Sequence, residues 1–194
     1  MLSKREVLKI FKDADVLQSG HFQLSSGLHS NKYLQCAKVF QYPRYAKVLA
    51  EELARRFKKE RVDLVIGPAL GGIILSYEVA RSLRKARALF AEREKEKMSL
   101  RRGFKIEKGE KALVVEDVIT TGGSVKEVIE LVKELGGEVI GVGALVDRSG
   151  KRIDFGVKTK TLLKIRVENY KKEDCPLCKK DIPLLKPGGK DVKV

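Results

Sequence analysis

The 194-residue sequence contains no tryptophan, two methionines, two histidines and three cysteines. An odd cysteine count argues against a disulfide-framed secreted domain. With only His21 and His29 available, no Ser/His/Asp or Cys/His catalytic set can be assembled, and both histidines read as N-terminal loop or surface residues. No stretch reaches the roughly 18 consecutive apolar residues of a membrane span. The charged start, Met1-Leu-Ser-Lys-Arg-Glu6, lacks the apolar region of a signal peptide. The expectation is a soluble cytoplasmic protein with no membrane partner. Internal repeats are absent, and so are the common nucleotide loops G-x-x-x-x-G-K-[ST] and G-x-G-x-x-G after a strand.

What is abundant is charge. Lys and Arg total 41 against 26 Asp and Glu, a net charge of +15. Such a surface attracts polyanions: nucleic acid, membrane phosphates or small phosphorylated substrates. Hydrophobic residues at 43% are enough for a real core, and the length suits one domain with a small appendage. High Lys, Arg and Glu with little Met also resembles a thermophile's composition.

Ser3 followed by Glu6 forms a capping box that opens a helix to Lys12. Residues 21–35 are polar and Ser/Gly-rich and read as a loop with short extended pieces. Pro43 starts a helix with an apolar face at Val48, Leu49, Leu53, Ala54 and Phe57. Strands are expected at 62–66, 88–91, 112–115 and 139–146, alternating with helices at 73–83 and from Val125 to Leu135. That alternation predicts an α/β fold with a mostly parallel sheet flanked by helices. Residues 92–103 are nearly all charged and read as a solvated loop or ribbon, and the tail after Tyr170 is expected to lie over the surface.

The most informative segment is Ala112-Leu-Val-Val-Glu-Asp-Val-Ile-Thr-Thr-Gly-Gly-Ser124. A buried strand ends in two carboxylates, passes through a hydroxyl- and glycine-rich turn, and enters a helix. Thr120, Thr121, Gly122, Gly123 and Ser124 can offer N–H and hydroxyl groups to a phosphate at the helix's positive end. Glu116 and Asp117 would repel a phosphate. They suit ribose hydroxyls, a Mg²⁺ complex or a developing positive charge. A turn combining both features fits a phosphorylated sugar.

This segment resembles the phosphoribosyl-pyrophosphate (PRPP) signature of type I phosphoribosyltransferases. Further segments are similar to the orotate phosphoribosyltransferase family within that group. Phe22-Gln-Leu-Ser-Ser-Gly-Leu-His-Ser30 with Tyr33 resembles its N-terminal hood, and Gly67-Pro-Ala-Leu-Gly-Gly72 its pyrophosphate loop. Phe90 to Phe104 resembles its mobile catalytic loop, and Ala144-Leu-Val-Asp-Arg148 its Asp-Arg strand end. The resemblance implies the type I phosphoribosyltransferase fold, with a hood at 1–40, the core at 41–150 and the tail 150–194 packing near the hood.

It also implies Mg²⁺-dependent transfer of 5-phosphoribose from PRPP to orotate. The products are orotidine 5′-monophosphate and pyrophosphate, in pyrimidine biosynthesis. By the same resemblance, Glu116 and Asp117 hold the ribose hydroxyls, and either could touch a Mg²⁺ carried mainly by substrate. Val118, Ile119 and Thr120 to Ser124 hold the 5′-phosphate. Ala69, Leu70 and Gly71 receive pyrophosphate, while Thr120, Arg148, Ser25, Ser26 and Gly27 meet orotate, with Tyr33 assisting. Lys97 is the catalytic lysine, reaching the pyrophosphate of a neighbouring subunit in a homodimer, and Arg93 binds the same group. Gly71, Glu94 and Ser99 stand where many members carry Lys, Lys and His, so Lys95, Arg101 or Arg102 would compensate. The rival readings are a phosphoribosyltransferase for another base and a PRPP-fold regulator that binds nucleic acid. The latter is disfavoured by 6% aromatics and no helix-turn-helix, so no nucleic-acid partner is expected.

Cys175-Pro-Leu-Cys178 is half of a zinc site by spacing. A symmetric dimer could pair two such knuckles, or His21, His29 or Cys36 could complete one. A disulfide and a plain turn are the other readings.

Overall fold

A computed structural model describes residues 2–24 and 26–187 of the chain. The Ser3 hydroxyl accepts the Glu6 N–H, and the Glu6 carboxylate accepts the Ser3 N–H at 2.7 Å, which starts helix α1 (Lys4–Asp13) as the capping box predicts. Strands β1 (Leu17–Gln23) and β2 (His29–Leu34) follow as an antiparallel hairpin. The short extended pieces expected within residues 21–35 are thus the strands of a hairpin, which begins earlier, at Leu17. An irregularity between Ser19 and Phe22 breaks the two-residue alternation by which a strand is recognised. His21 and His29, expected in the loop or on the surface, are each 2% exposed.

A 3-10 turn (Cys36–Gln41) leads to α2 (Pro43–Arg55), with Pro43 in the first turn, where its missing N–H costs nothing. The elements then alternate: β3 (Leu64–Pro68), α3 (Gly71–Leu83), β4 (Arg87–Glu94), β5 (Lys97–Ser99), β6 (Lys111–Ile119), α4 (Gly123–Glu134), β7 (Glu138–Asp147) and β8 (Thr159–Lys164). The main sheet has the order β5-β4-β3-β6-β7-β8, parallel throughout except for the antiparallel edge strand β5. A two-residue strand, β9 (Asn169–Tyr170), pairs with β2 and completes a three-stranded hood sheet.

Alternate residues of the central strands bury on opposite faces. Val65, Leu113 and Val115 join Leu49 and Leu53 of α2, Phe57 just past its end and Leu75 of α3. Leu64, Ile66 and Val114 join Val125, Val128 and Val132 from α4. The sheet extends past residue 150, where the expected core ended: β8 is its sixth strand, within the segment 150–194 expected to pack near the hood. Its Thr-Lys-Thr-Leu-Leu-Lys sequence puts only Leu162 and Leu163 inside, too short an apolar run to read as a core strand.

Candidate active site

The strand order decides where the motifs meet. After β4 the chain returns across β3 to lay down β6, so the parallel strands β4, β3, β6 and β7 stand side by side. Their carboxyl ends carry, in that order, the charged ribbon, the loop 69–71, the turn 116–124 and Arg148. In open α/β sheets ligands bind at the carboxyl ends of the strands, where the strand order reverses.

At the end of β3, Gly67 and Gly72 touch through their backbones. A β-carbon on Gly67 would lie 2.8 Å from the Gly72 α-carbon. This contact folds the strand straight into α3. The Ala69–Leu70 peptide bond is cis, and the Leu70 side chain is 83% exposed. Gly71 sits against the acid pair: a β-carbon there would lie 2.6 Å from Cγ of Asp117. A side chain at 71 would have to displace that carboxylate.

Glu116 and Asp117 are 8% and 9% exposed at the end of β6. No cation in the described structure pairs with either. Burial, then the neighbouring Asp117 charge, pushes the Glu116 carboxyl up to about 9, and burial also raises Asp117. Two adjacent buried carboxyls cannot both ionise cheaply, so the pair holds a proton until positive charge arrives. The Asp117 carboxylate accepts the Val118 N–H at 2.7 Å, which fixes its direction. Cys36 lies near this group: burial raises its thiol, the Asp117 and Glu116 charges add to that, and Arg148 opposes them. Nothing in the sequence around Cys36 signals that placement.

Beyond the acids, Gly122 adopts a left-handed φ of 81°, and a β-carbon there would press on Phe155 at 3.0 Å. Gly122 gives α4 no side-chain cap; the Gly123 N–H meets the Thr121 hydroxyl at 3.4 Å, and the Ser124 and Val125 N–H groups are available to an anion. Thr120, Thr121 and Gly123 are exposed around it, Ser124 is half-buried, and Val118 and Ile119 form the strand floor. At the end of β7, Asp147 accepts from the Ser149 hydroxyl at 2.6 Å and pairs with Lys164 at 3.6 Å. Asp147 therefore does not hold Arg148, which forms no ion pair among the described residues.

The ribbon is less uniform than its composition suggests. Glu94 pairs in register with Lys97, and Arg93 with Met98. Arg93 is bound to Glu127 of α4 at 2.7 Å and donates to the Glu96 carbonyl, so here it engages the helix and not the phosphate turn. Arg102 is held by both oxygens of Glu92 at 2.8 Å, which removes it as a free replacement cation. Lys97 is exposed without an ion pair among the described residues, beside Lys126, Glu127, Glu130 and Glu134 on the flank of α4. Lys95 and Arg101 are exposed as well. Ser26 and Gly27 are exposed at the tip of the hood hairpin, where Gly27 has φ 81°. Ser25 lies outside the described residues.

Residues 38–174 match the family model of the phosphoribosyl transferase domain. The chain is 62% identical over 189 residues to the orotate phosphoribosyltransferase of Caldanaerobacter subterraneus subsp. tengcongensis, spanning 97% of this chain and 99% of that protein. It is 57% identical to the orotate phosphoribosyltransferase of Thermotoga maritima, over 96% of this chain and all of that one (100%). The solved orotate phosphoribosyltransferase of Aeropyrum pernix has a TM-score of 0.69 at 26% identity, covering 82% of this chain and 93% of that one. An adenine phosphoribosyltransferase from Rhodothermus marinus reaches a TM-score of 0.66 at 21% identity, covering 83% and 99%. The fold is thus shared by enzymes named for different bases, and the fold alone does not select one.

Proposed function

This chain belongs to the orotate phosphoribosyltransferase family, and on that premise we propose how its residues divide the transfer of 5-phosphoribose from PRPP to orotate. The bond from ribose C1 to the pyrophosphate oxygen breaks with its electron pair leaving on pyrophosphate. A bond from C1 to a ring nitrogen of orotate forms, and the proton of that nitrogen is released. Between the two, the ribose carries positive charge that the site must accept while excluding water.

The observation that carries this reading is the buried, uncompensated acid pair next to an open helix N-terminus. The turn Thr120 to Ser124 anchors the 5′-phosphate through free N–H groups and hydroxyls. Glu116 and Asp117 take the ribose hydroxyls, and their field favours the cationic sugar. The backbone at 69–71 receives pyrophosphate; the close Gly67–Gly72 contact and the packing of Gly71 against Asp117 hold that backbone beside the acid pair. The unpaired Arg148 receives the orotate carboxylate in a two-pronged contact. Thr120, Ser26 and Gly27, with Ser25, close over the base.

Oxygen donors and a pair that gains from a nearby positive charge fit Mg²⁺, with Glu116 and Asp117 as the residues that would touch it. When bound, the ion would supply positive charge against that of the leaving pyrophosphate. We assign Lys97 to the pyrophosphate of a second copy in a homodimer. Its exposure on the flank of α4, with no ion pair among the described residues, supports that assignment. Among the described residues no helix is long and apolar enough to cross a membrane. Because PRPP and orotate are water-soluble, we place the reaction in the cytoplasm.

The test is an ultraviolet assay of orotate consumption with PRPP and Mg²⁺, run beside uracil, adenine and hypoxanthine. Orotate alone should be consumed, and only with both PRPP and metal. Consumption of a purine, or of no base, would overturn the reading.

A further inference from the structure

His21, His29, Cys175 and Cys178 converge in the hood, remote in sequence from the phosphate turn, and no step of the transfer uses them. One ligand atom from each lies within 4.8 Å of every other. Both imidazoles are 2% exposed, Cys175 is 0% exposed, and the cysteines are not bonded to each other. From this we propose that the four side chains form a closed structural zinc site that clamps the C-terminal tail onto the hood hairpin.

The distances approach those of a tetrahedral site. Zinc bonds of about 2.0–2.1 Å to nitrogen and about 2.3 Å to sulfur set N···S edges of about 3.5 Å and an N···N edge of about 3.4 Å. The Cys175 and Cys178 sulfurs lie 3.5 and 3.7 Å from Nε2 of His21, and the Cys178 sulfur lies 3.3 Å from Nδ1 of His29. The two imidazole nitrogens are 2.9 Å apart, so a small outward shift admits the ion.

Hydrogen bonding alone accounts poorly for the cluster. Nδ1 of His21 donates to the Ile182 carbonyl at 2.7 Å, which leaves Nε2 unprotonated with a single lone pair. Three groups nevertheless point at that lone pair. A zinc ion gives each of them its own bond. The carbonyl on the far nitrogen is the outer partner that metal-bound imidazoles regularly have, fixing ring orientation and tautomer. Four protein ligands leave no open position, so the site is structural and not a second catalytic centre.

Its placement indicates what it would do. His21 and His29 stand on either side of the hairpin tip 24–28, the segment proposed to cover the base. The cysteines lie in the tail, whose Leu185 exchanges two 2.8 Å backbone hydrogen bonds with His21 and Gln23. A single ion would thus fix the tip from both sides and anchor residues more than a hundred positions away in sequence, where loop closure is entropically costly.

Full-length protein purified under reducing conditions and dialysed against Zn²⁺ should contain one zinc per chain by elemental analysis. Replacement by Co²⁺ should give the intense visible bands and near-ultraviolet thiolate charge transfer of a tetrahedral site. Cys175→Ser, Cys178→Ser and His29→Ala should each lower the metal content to near zero, whereas Cys36→Ser should leave it unchanged. Should the variants fail to fold, wild-type protein suffices: zinc should protect Cys175 and Cys178 from a thiol reagent until a chelator removes it, with a fall in Tm. Zinc-free protein whose two thiols react freely in excess Zn²⁺ would overturn the proposal. So would a pale octahedral cobalt spectrum, another metal held in preference to zinc, or a Cys175–Cys178 disulfide in freshly isolated protein.

Discussion

Asp117 rests its carboxylate against Gly71 so closely that a β-carbon on the glycine would stand 2.6 Å from both Cγ and Oδ2. Any side chain at 71 would have to displace that carboxylate. Gly71→Ala should push Asp117 aside and lower kcat/KM for PRPP by about 100-fold, the scale of an ångström of misplacement. The fold should hold, since only a side-chain tip must move. Steady-state kinetics beside thermal melts checks this, and unchanged kinetics would remove Asp117 from the ribose contact.

The acid pair also ties stability to pH. The native pair keeps a proton up to about 9 on Glu116, whereas the unfolded glutamate releases it near 4.5. The native state therefore binds more protons across that window, and the pair's contribution to stability falls as pH rises from about 5 to 9. Glu116→Gln removes the titration. Its Tm should exceed that of the wild type at pH 8.5 and approach it at pH 5, while its activity is lost. Melting curves at the two pH values are the measurement, and equal Tm differences at both would contradict the burial argument.

Lys97→Ala should cut kcat by about 100-fold or more, as loss of one charge-stabilising donor does elsewhere. If the lysine serves a partner's site, mixing Lys97→Ala with Asp117→Asn protein under subunit exchange should restore activity. Random pairing rebuilds one intact site in half of the dimers, about a quarter of the wild-type total. Two inactive variants that stay inactive when mixed, under demonstrated exchange, would place Lys97 in its own subunit's site.

Because Asp147 is engaged by Ser149 and Lys164, Arg148 is free for a ligand. Arg148→Ala should raise KM for orotate by about 10- to 100-fold, the loss expected for a charged hydrogen-bonded contact. Arg148→Lys should recover little of it, since an ammonium cannot make the forked contact. An unchanged orotate KM in both variants would assign the carboxylate to another residue.

The sequence makes some parts of this molecule easier to read than others. The capping box at Ser3, the buried runs of β3, β6 and β7, and the turn from Glu116 to Ser124 announce themselves because each depends on neighbours in sequence. The hood sheet does not. Its first strand is irregular at Ser19 to Phe22, and its third is two residues supplied from position 169. The pairing of Arg93 with Glu127 and of Arg102 with Glu92 was equally hidden, because charge composition says how many cations a ribbon carries and not which are already engaged. The meeting of His21 and His29 with Cys175 and Cys178 needs the folded tail to be seen at all.

The pairing of β2 with β9, and of residues 21–23 with Leu185, also orders events during synthesis. A nascent chain emerging as far as Lys164 already possesses every strand of the six-stranded sheet, and with them the phosphate turn and the acid pair. Its amino-terminal hairpin, made first, has no third strand and no tail to close upon. On the ribosome the part of the molecule translated earliest is therefore completed last, when residues 169–185 arrive to pair with it.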